Sequence, residues 1–304
     1  MLKEYQITNH KLAETEGKNA QVYVYTNPTL EEQRFLIESY KIDEHTLQSA
    51  LDPDELPRLE FEPDHTVLIY KRPKNYSGKD QLEFKVASVG MFLFKNKLVI
   101  VLSEDIALFV GKRFQTVDSI KEVFLKLIYN SISHYVEHLR IIHLISEEIE
   151  DKITDSMDNR YLLNLFSLVK SLVYYAEAIT SNGFVFEKAR TQARRIGFDE
   201  KDIEMLDDII VENRQCKTQA DIYSNILAQL LDARASIVNN NLNQLMKKLN
   251  VITIWMMVPT LVVSAYGMNV ALPMAEHPQA FWMLMGVCLM LVWLVMLYWR
   301  RKNW

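Results

Sequence analysis

Two uncharged apolar runs near the C-terminus constrain the fold of this chain more than any other feature. They cover residues 249–268 and 281–299. Each is about 20 residues long, and an α-helix rising about 1.5 Å per residue then spans the roughly 30 Å hydrocarbon core of a bilayer. Two such runs close together favour a membrane-spanning pair over helices buried in a soluble core. The sequence therefore predicts two transmembrane helices.

Basic residues around these runs predict their orientation. Lys247 and Lys248 precede the first run, and residues 300–302 are all basic. The connecting segment 269–280 contains no Lys or Arg. Because loops rich in Lys and Arg stay on the cytosolic side, both termini are expected in the cytosol, with a short external loop. The expected location is the plasma membrane or bacterial inner membrane.

The composition of the remaining chain argues against several classes of protein. Residues 1–248 carry about −7 and the last 56 carry +2, so a nucleic-acid partner is not expected, whereas divalent cations are compatible. Cys216 and Cys288 form no CxxC pattern, which excludes a disulfide framework or structural zinc site. Phosphate-binding glycine loops, GxSxG and HExxH motifs are absent, so an enzyme is not predicted. His134 and His138 share one helical face, a spacing interpreted as a solvated surface pair rather than a metal site.

Polar and small side chains form a stripe along the first apolar run. Polar groups inside a bilayer face protein or water. The stripe is therefore either a packing surface between helices or the wall of a pore built from several copies, and spacing alone leaves both open. Intervals of four and three residues place its members on one helical face: Asn239, Asn243, Met246, Asn250, Thr253, Met257, Thr260 and Ser264.

The helix that carries this stripe is predicted to be unusually long. Neither Gly nor Pro occurs between Gly197 and Pro259, and Asp199 with Asp202 is a candidate capping pair. A helix over about 200–267 would be on the order of 100 Å long. Because a rod of this length needs partners along its surface, an oligomer is expected.

The N-terminal part is predicted to be mixed α/β, followed by helices. Thr29 and Glu32 form a capping box that opens a helix through Tyr40. Residues 112–182 lack Gly and Pro and read as a helical hairpin with a break near Asp158 and Asn159. Strands are predicted at 21–25, 67–70, 82–89 and 90–102, the last with a break near 95–97.

The end of the first apolar run reads Tyr266-Gly267-Met268-Asn269. A Gly-Met-Asn tripeptide here, followed by a short loop and a second helix with a basic tail, resembles the CorA family of magnesium transporters. The resemblance extends upstream through 230–232, 243–247 and Met257, and to 56–60. It covers nearly the whole chain, although the first 45 residues match only in general character.

The resemblance implies an α/β N-terminal domain, long α-helices and two transmembrane helices in a funnel-shaped homopentameric channel. Its partners would be copies of itself, the lipid bilayer and Mg²⁺ or other divalent cations, with no nucleic acid. The implied division is 1–115 cytosolic α/β domain, 116–198 helical hairpin, 199–248 stalk helix, 249–269 pore-lining transmembrane helix, 270–280 external loop, and 281–304 second transmembrane helix with basic tail.

The same resemblance resolves the stripe in favour of a pore. Gly267, Met268 and Asn269 would form the outer mouth, where a ring of amides holds hydrated Mg²⁺ without stripping its water. Glu276 in the external loop would attract cations. The pore-lining positions would be Asn243, Met246, Leu249, Asn250, Thr253, Met257, Thr260 and Ser264.

Regulation is implied as well. Asp208 and Asp232 match acids through which the family senses cytosolic Mg²⁺, which would thus be both transported and regulatory. The family commonly has an acidic pair where this chain has Gln48-Ser49, and Asp52 or Asp54 are candidate substitutes.

The expected function is Mg²⁺ uptake down the electrochemical gradient, gated by cytosolic divalent cation. The alternatives are a Zn²⁺, Co²⁺ or Ni²⁺ transporter of the same superfamily, or a non-conducting two-helix membrane sensor.

Overall fold

The structure is a computed structural model that describes residues 1–15, 19–76, 82–155, 159–270 and 277–301. The chain divides into two compact units, Met1–Leu231 and Asp232–Trp304. The strands are β1 Leu2–Thr8, β2 Lys11–Glu14, β3 Val22–Thr26, β4 Arg58–Phe61, β5 His65–Pro73, β6 Val86–Phe94 and β7 Leu98–Leu102. The helices are α1 Leu30–Tyr40, α2 Glu44–Leu51, α3 Ile120–Asp155, α4 Asn159–Thr191, α5 Ala193–Ile196, α6 Glu200–Tyr266 and α7 Ala280–Arg301.

The first unit is built around one seven-stranded sheet. Its strand order is β2-β1-β3-β7-β6-β5-β4, and β3 pairs with β7 in parallel while the other pairs are antiparallel. Successive strand residues point to opposite faces, so each face has its own core. Val67 and Ile69 pack with the residues of α1 and α2, whereas Leu68 and Tyr70 belong to the core formed with α3, α4 and α6. The N-terminal α/β domain with long helices is therefore confirmed.

Local capping residues start α1 and α6 where the sequence predicts. Thr29 Oγ1 accepts the backbone N–H of Glu32 at 3.2 Å, and Glu32 Oε2 accepts that of Thr29 at 2.8 Å. Asp199 Oδ1 accepts the N–H of Asp202 at 2.8 Å, and Asp202 Oδ2 accepts that of Asp199 at 3.2 Å. Aspartate thus serves in place of the usual Glu or Gln. The predicted single helix from about 200 to 267 is confirmed as Glu200–Tyr266.

The predicted boundary between strands at residues 89 and 90 is wrong. Val86–Phe94 is one strand, in which Gly90 pairs with Ile69 on one side and Val101 on the other. A Cβ atom at position 90 would lie 2.4 Å from Ala50 Cβ. Glycine therefore lets α2 pack against the sheet and does not end a strand. The predicted break near 95–97 is confirmed, because β7 begins at Leu98.

Two helices follow the sheet, as the sequence predicts. They are α3 and α4, and α4 begins at Asn159. The break was predicted at Asp158 and Asn159, and Asp158 lies outside the described residues. Strands β1, β2 and β4 and helices α2 and α5 were not predicted. The three strands lie towards the two edges of the sheet with mostly half-buried or exposed side chains, and the two helices span only 8 and 4 residues.

Candidate functional site

The polar stripe lies on the part of α6 that belongs to the second unit. Every one of its side chains is exposed within the single chain, from Asn239 to Ser264. Among them Met246 and Met257 are 57% and 63% exposed. The described residues of this unit therefore leave the stripe uncovered.

Two threonines of the stripe have a fixed hydrogen-bonding direction. Thr253 Oγ1 donates to the carbonyl oxygen of Leu249 at 2.9 Å, and Thr260 Oγ1 donates to that of Met256 at 2.7 Å. Each hydroxyl proton is thus used within the helix, and the oxygen lone pairs remain as acceptors. Acceptor oxygens suit a cation or the water molecules that surround it.

Helix α6 ends immediately before the Gly-Met-Asn tripeptide. The N–H of Gly267 donates to the carbonyl oxygens of Val263 at 3.0 Å and Ser264 at 3.2 Å. A Cβ at position 267 would lie 3.5 Å from the Val263 oxygen, an ordinary van der Waals distance. Within one chain nothing in the described backbone requires glycine here. Met268 and Asn269 follow as exposed residues, and Glu276 lies outside the described part of the chain.

Among the residues that the structure describes, three helices are long and apolar enough to cross a membrane. They are α6, α7 and the part of α4 that covers 160–191. They differ in how much of the apolar stretch is already buried within the fold. That share is 39% for α4, 0% for α6 and 6% for α7. Since α4 also contacts α3, β4, β5 and β6, its apolar face has a partner inside the first unit.

Asp208 has cationic neighbours that the sequence did not indicate. It is exposed and lines a cavity of about 360 Å³ together with a second acid, Glu204, and with Arg113, Lys126 and Lys201. No ion pair of Asp208 occurs among the described residues, whereas Lys201 Nζ lies 3.3 Å from the Asp118 carboxylate. These cations come from the turn before α3, from α3 and from α6, so only the tertiary fold places them together.

Gln48 forms a side-chain hydrogen bond, and Ser49 is buried. Gln48 Nε2 donates to Gln33 Oε1 at 3.1 Å, and Ser49 is 4% exposed. Asp52 Oδ1 accepts the N–H of Asp54 at 2.9 Å and so stabilises its own turn. Asp232, in the second unit, is exposed. Within the described ranges, no three His, Cys, Asp or Glu side chains cluster as metal ligands.

The interpretation of His134 and His138 as a solvated pair is wrong. His138 is 4% exposed, and its Nδ1 lies 2.7 Å from the hydroxyl oxygen of Tyr175 on α4. The two imidazole rings meet edge to face, with centroids 4.3 Å apart. Burial lowers the pKa of His138 to about 4, with His134 as the smaller cause. The hairpin buries this face of α3 against α4, which helical spacing alone did not reveal.

Residues 19–301 match the family described as CorA-like Mg²⁺ transporter protein. The cobalt/magnesium transport protein CorA of Methanocaldococcus jannaschii is 27% identical over 289 residues, which are 91% of this chain and 89% of that protein.

Solved structures share the fold. The complete CorA magnesium transporter structure from M. jannaschii superposes with a TM-score of 0.84 at 24% identity, covering 100% of this chain and 98% of that one. The full-length CmaX structure gives a TM-score of 0.74 at 15% identity, covering 100% and 97%. The family match extends over the sheet from β3 onwards, the long helices and both apolar segments. The chain therefore belongs to the CorA-like Mg²⁺ transporter family.

Proposed function

We propose that this protein is the subunit of a membrane channel for Mg²⁺. Family membership supports divalent cation transport and not an enzymatic activity. The observation that carries the proposal is the exposed polar stripe on an otherwise apolar segment of α6. Exposed polar groups in a bilayer require protein or water on that face, and water is what a cation path supplies.

The channel wall requires several copies of the chain, since one helix face cannot enclose a pore. We propose the homopentamer that the resemblance implies. The two proposed spans are the apolar end of α6 and all of α7. The apolar stretch of α4 is assigned to the cytosolic domain because much of it is already buried against the sheet and α3. Both termini are placed in the cytosol by the basic residues that flank the spans.

At the outer mouth, a ring of Asn269 side chains would accept and donate hydrogen bonds to hydrated Mg²⁺. Mg²⁺ gives up its water reluctantly, so contact through the hydration shell gives weak binding that permits release. Further in, the outward acceptor oxygens of Thr253 and Thr260 would serve the same purpose. An inside-negative potential would drive entry with about 2.3 kcal/mol per charge per 100 mV, doubled for a divalent ion.

Regulation by cytosolic divalent cation is proposed at Asp208 and Asp232. Asp208 and Glu204 share their cavity with three cations, so a divalent ion there would need further carboxylates from a second copy. Mg²⁺ inside vesicles is expected to slow uptake by the wild type and to slow it less in Asp208→Asn. Equal slowing in both proteins would remove Asp208 from regulation.

Co²⁺ is the second candidate cargo, because the M. jannaschii relative is named a cobalt/magnesium transport protein. A non-conducting sensor would use the same two helices, but it has no need of an exposed polar stripe through the bilayer. Zn²⁺ and Ni²⁺ share the borderline ligand preferences of Co²⁺ and belong in the same test.

The test is ion flux into proteoliposomes under an imposed inside-negative potential, with Mg²⁺, Co²⁺, Zn²⁺ and Ni²⁺ in turn. Wild-type protein is expected to admit Mg²⁺, and Asn269→Ala to abolish that uptake. The control is Asn240→Ala, which removes an exposed amide from α6 outside the proposed lining set. Uptake of another ion but not of Mg²⁺ would keep the channel and change its cargo. If assembled protein conducts none of the four ions, the channel is overturned and the non-conducting sensor is the function that remains.

A further inference from the structure

A cavity of about 550 Å³ lies in the first unit where the turn after β4, the end of β6, the start of α3 and α5 meet. Its volume falls within the roughly 300–1,000 Å³ typical of small-molecule sites. None of its lining residues belongs to the proposed permeation path or to the proposed regulatory acids. Binding of a ligand in this cavity is therefore separate from transport.

Three cationic side chains line this cavity and form no ion pair within 4.0 Å among the described residues: Lys95, Lys121 and Arg195. The guanidinium carbon of Arg195 lies 4.2 Å from the centroid of the Phe61 ring. Lys121 Nζ donates to the carbonyl oxygen of Gly197. By contrast, Arg190 and Arg214 nearby are paired with Asp207 and Glu187.

The arrangement leaves hydrogen-bond donors available to a ligand. A guanidinium stacked on an aromatic ring keeps its N–H groups in the plane of the fork, which matches two oxygens of an oxyanion. The ammonium of Lys121 has three donors and uses one on Gly197. Lys95 is exposed in the turn after β6, and its ammonium makes no ion pair in the described part of the chain.

The inner wall holds a buried imidazole without a hydrogen-bond partner. His65 is 6% exposed, and neither of its ring nitrogens is hydrogen-bonded. The ring stacks on Phe94 with centroids 4.6 Å apart. Both nitrogens are shielded from solvent, so the ring packs within the wall of the cavity and is not among the donors offered to a ligand.

Two carboxylates also line the cavity, Glu62 and Asp64. Asp64 Oδ2 lies 3.9 Å from Lys41 Nζ, outside the lining set, and both acids are exposed. The three cations therefore outnumber the acids that remain without a basic partner. A divalent cation is disfavoured by this balance, and an anion is favoured.

We propose that this cavity binds the phosphate group of a small anionic ligand. A phosphate offers several terminal oxygens in a tetrahedral arrangement, which can meet donors that approach from three separate elements. The fork of Arg195 would hold two oxygens, and the ammonium groups of Lys95 and Lys121 would contact the others. A pyrophosphate or nucleoside diphosphate has the added charge to engage all three.

The test is isothermal titration of the full-length protein in detergent with inorganic pyrophosphate, in magnesium-free buffer containing EDTA. Saturable binding of one pyrophosphate per chain is expected. Arg195→Gln and Lys95→Gln are each expected to weaken binding about tenfold, the scale of one lost charge-assisted hydrogen bond. Lys95 is exposed and anchors nothing in the fold, so Lys95→Gln separates loss of binding from loss of folding. Arg214→Gln is the matched control, since it removes one positive charge from an exposed position outside the cavity and should change affinity less than twofold.

Absence of saturable binding at millimolar pyrophosphate would overturn the proposal, as would equal weakening by Arg214→Gln. Competition identifies the source of the phosphate. Displacement by adenosine diphosphate but not by dihexanoyl phosphatidic acid supports a soluble ligand, and the reverse supports a lipid headgroup. Either result retains a phosphate site, and neither depends on whether the protein conducts ions.

Discussion

Two buried polar side chains, Asn182 and His138, hold α4 to the sheet and to α3 through specific partners. Asn182 on α4 is 1% exposed and bonds both backbone groups of Lys71, accepting from its N–H at 2.8 Å and donating to its carbonyl at 2.7 Å. It thereby closes the part of β5 that extends beyond β4. His138 and Tyr175 join the two helices further along. Single polar residues therefore fix how the helices meet the sheet.

His138 predicts a pH dependence of stability. Its pKa in the folded chain is lowered to about 4, so between pH 6.5 and about 4 the unfolded chain binds a proton that the folded chain does not. Stability is thus fully present above about pH 6.5 and is lost as pH falls towards 4, by up to about 3 kcal/mol. Urea unfolding from pH 7 to pH 4.5 should show a smaller slope in His138→Gln than in the wild type. Exposed His45→Gln is the control, and equal slopes in His138→Gln and the wild type would contradict the assignment.

Loss of Asn182 should destabilise the first unit. Asn182→Ala leaves two buried backbone groups of Lys71 without partners, which costs about 1–3 kcal/mol for each group. We expect a lower midpoint of urea unfolding, followed by circular dichroism in detergent. Asn182→Asp is the comparison variant, because its carboxylate can accept from the Lys71 N–H but cannot donate to the Lys71 carbonyl oxygen. An unchanged midpoint for Asn182→Ala would show that water replaces the side chain.

At the scale of elements, close contacts between helices and strands decide boundaries that propensity cannot. The ladder of β6 continues through Gly90 because the neighbouring strands β5 and β7 pair on both sides. The same glycine admits the side chain of Ala50 on α2. The strand is continuous here because both neighbouring strands pair with it. The small residue is needed because helix α2 packs directly against this position.

Gly90→Ala should therefore destabilise the sheet–helix contact. The added methyl group meets Ala50 Cβ at 2.4 Å, and overpacking of this kind costs about 1–3 kcal/mol. The double variant Gly90→Ala with Ala50→Gly restores the space and is expected to recover part of the loss in urea unfolding. If the double variant loses as much free energy of unfolding as the two single variants together, or more, the contact is not the cause.

At the scale of the whole molecule, the polar stripe of α6 can line a pore only if several copies of the chain assemble around it. Cysteine substitution tests which face meets water. In a background with Cys216→Ala and Cys288→Ala, Thr260→Cys should give Mg²⁺ flux that micromolar Cd²⁺ blocks, because a ring of thiolates binds this soft ion. Val262→Cys is the control, since a side chain two residues further along the helix points about 200° away from that of residue 260. Block at position 262 but not at 260 would place the pore on another face.

Much of this architecture follows from local sequence patterns. The capping pairs at Thr29 and Asp199, the unbroken run to Pro259 and the two apolar segments depend on neighbouring residues, so their physics can be read along the chain. The burial of His138, the continuity of β6 and the cavity beside Arg195 depend on residues far apart in sequence. Only the packed fold brings such groups within contact distance, because side-chain burial and charge pairing are set by neighbours in space.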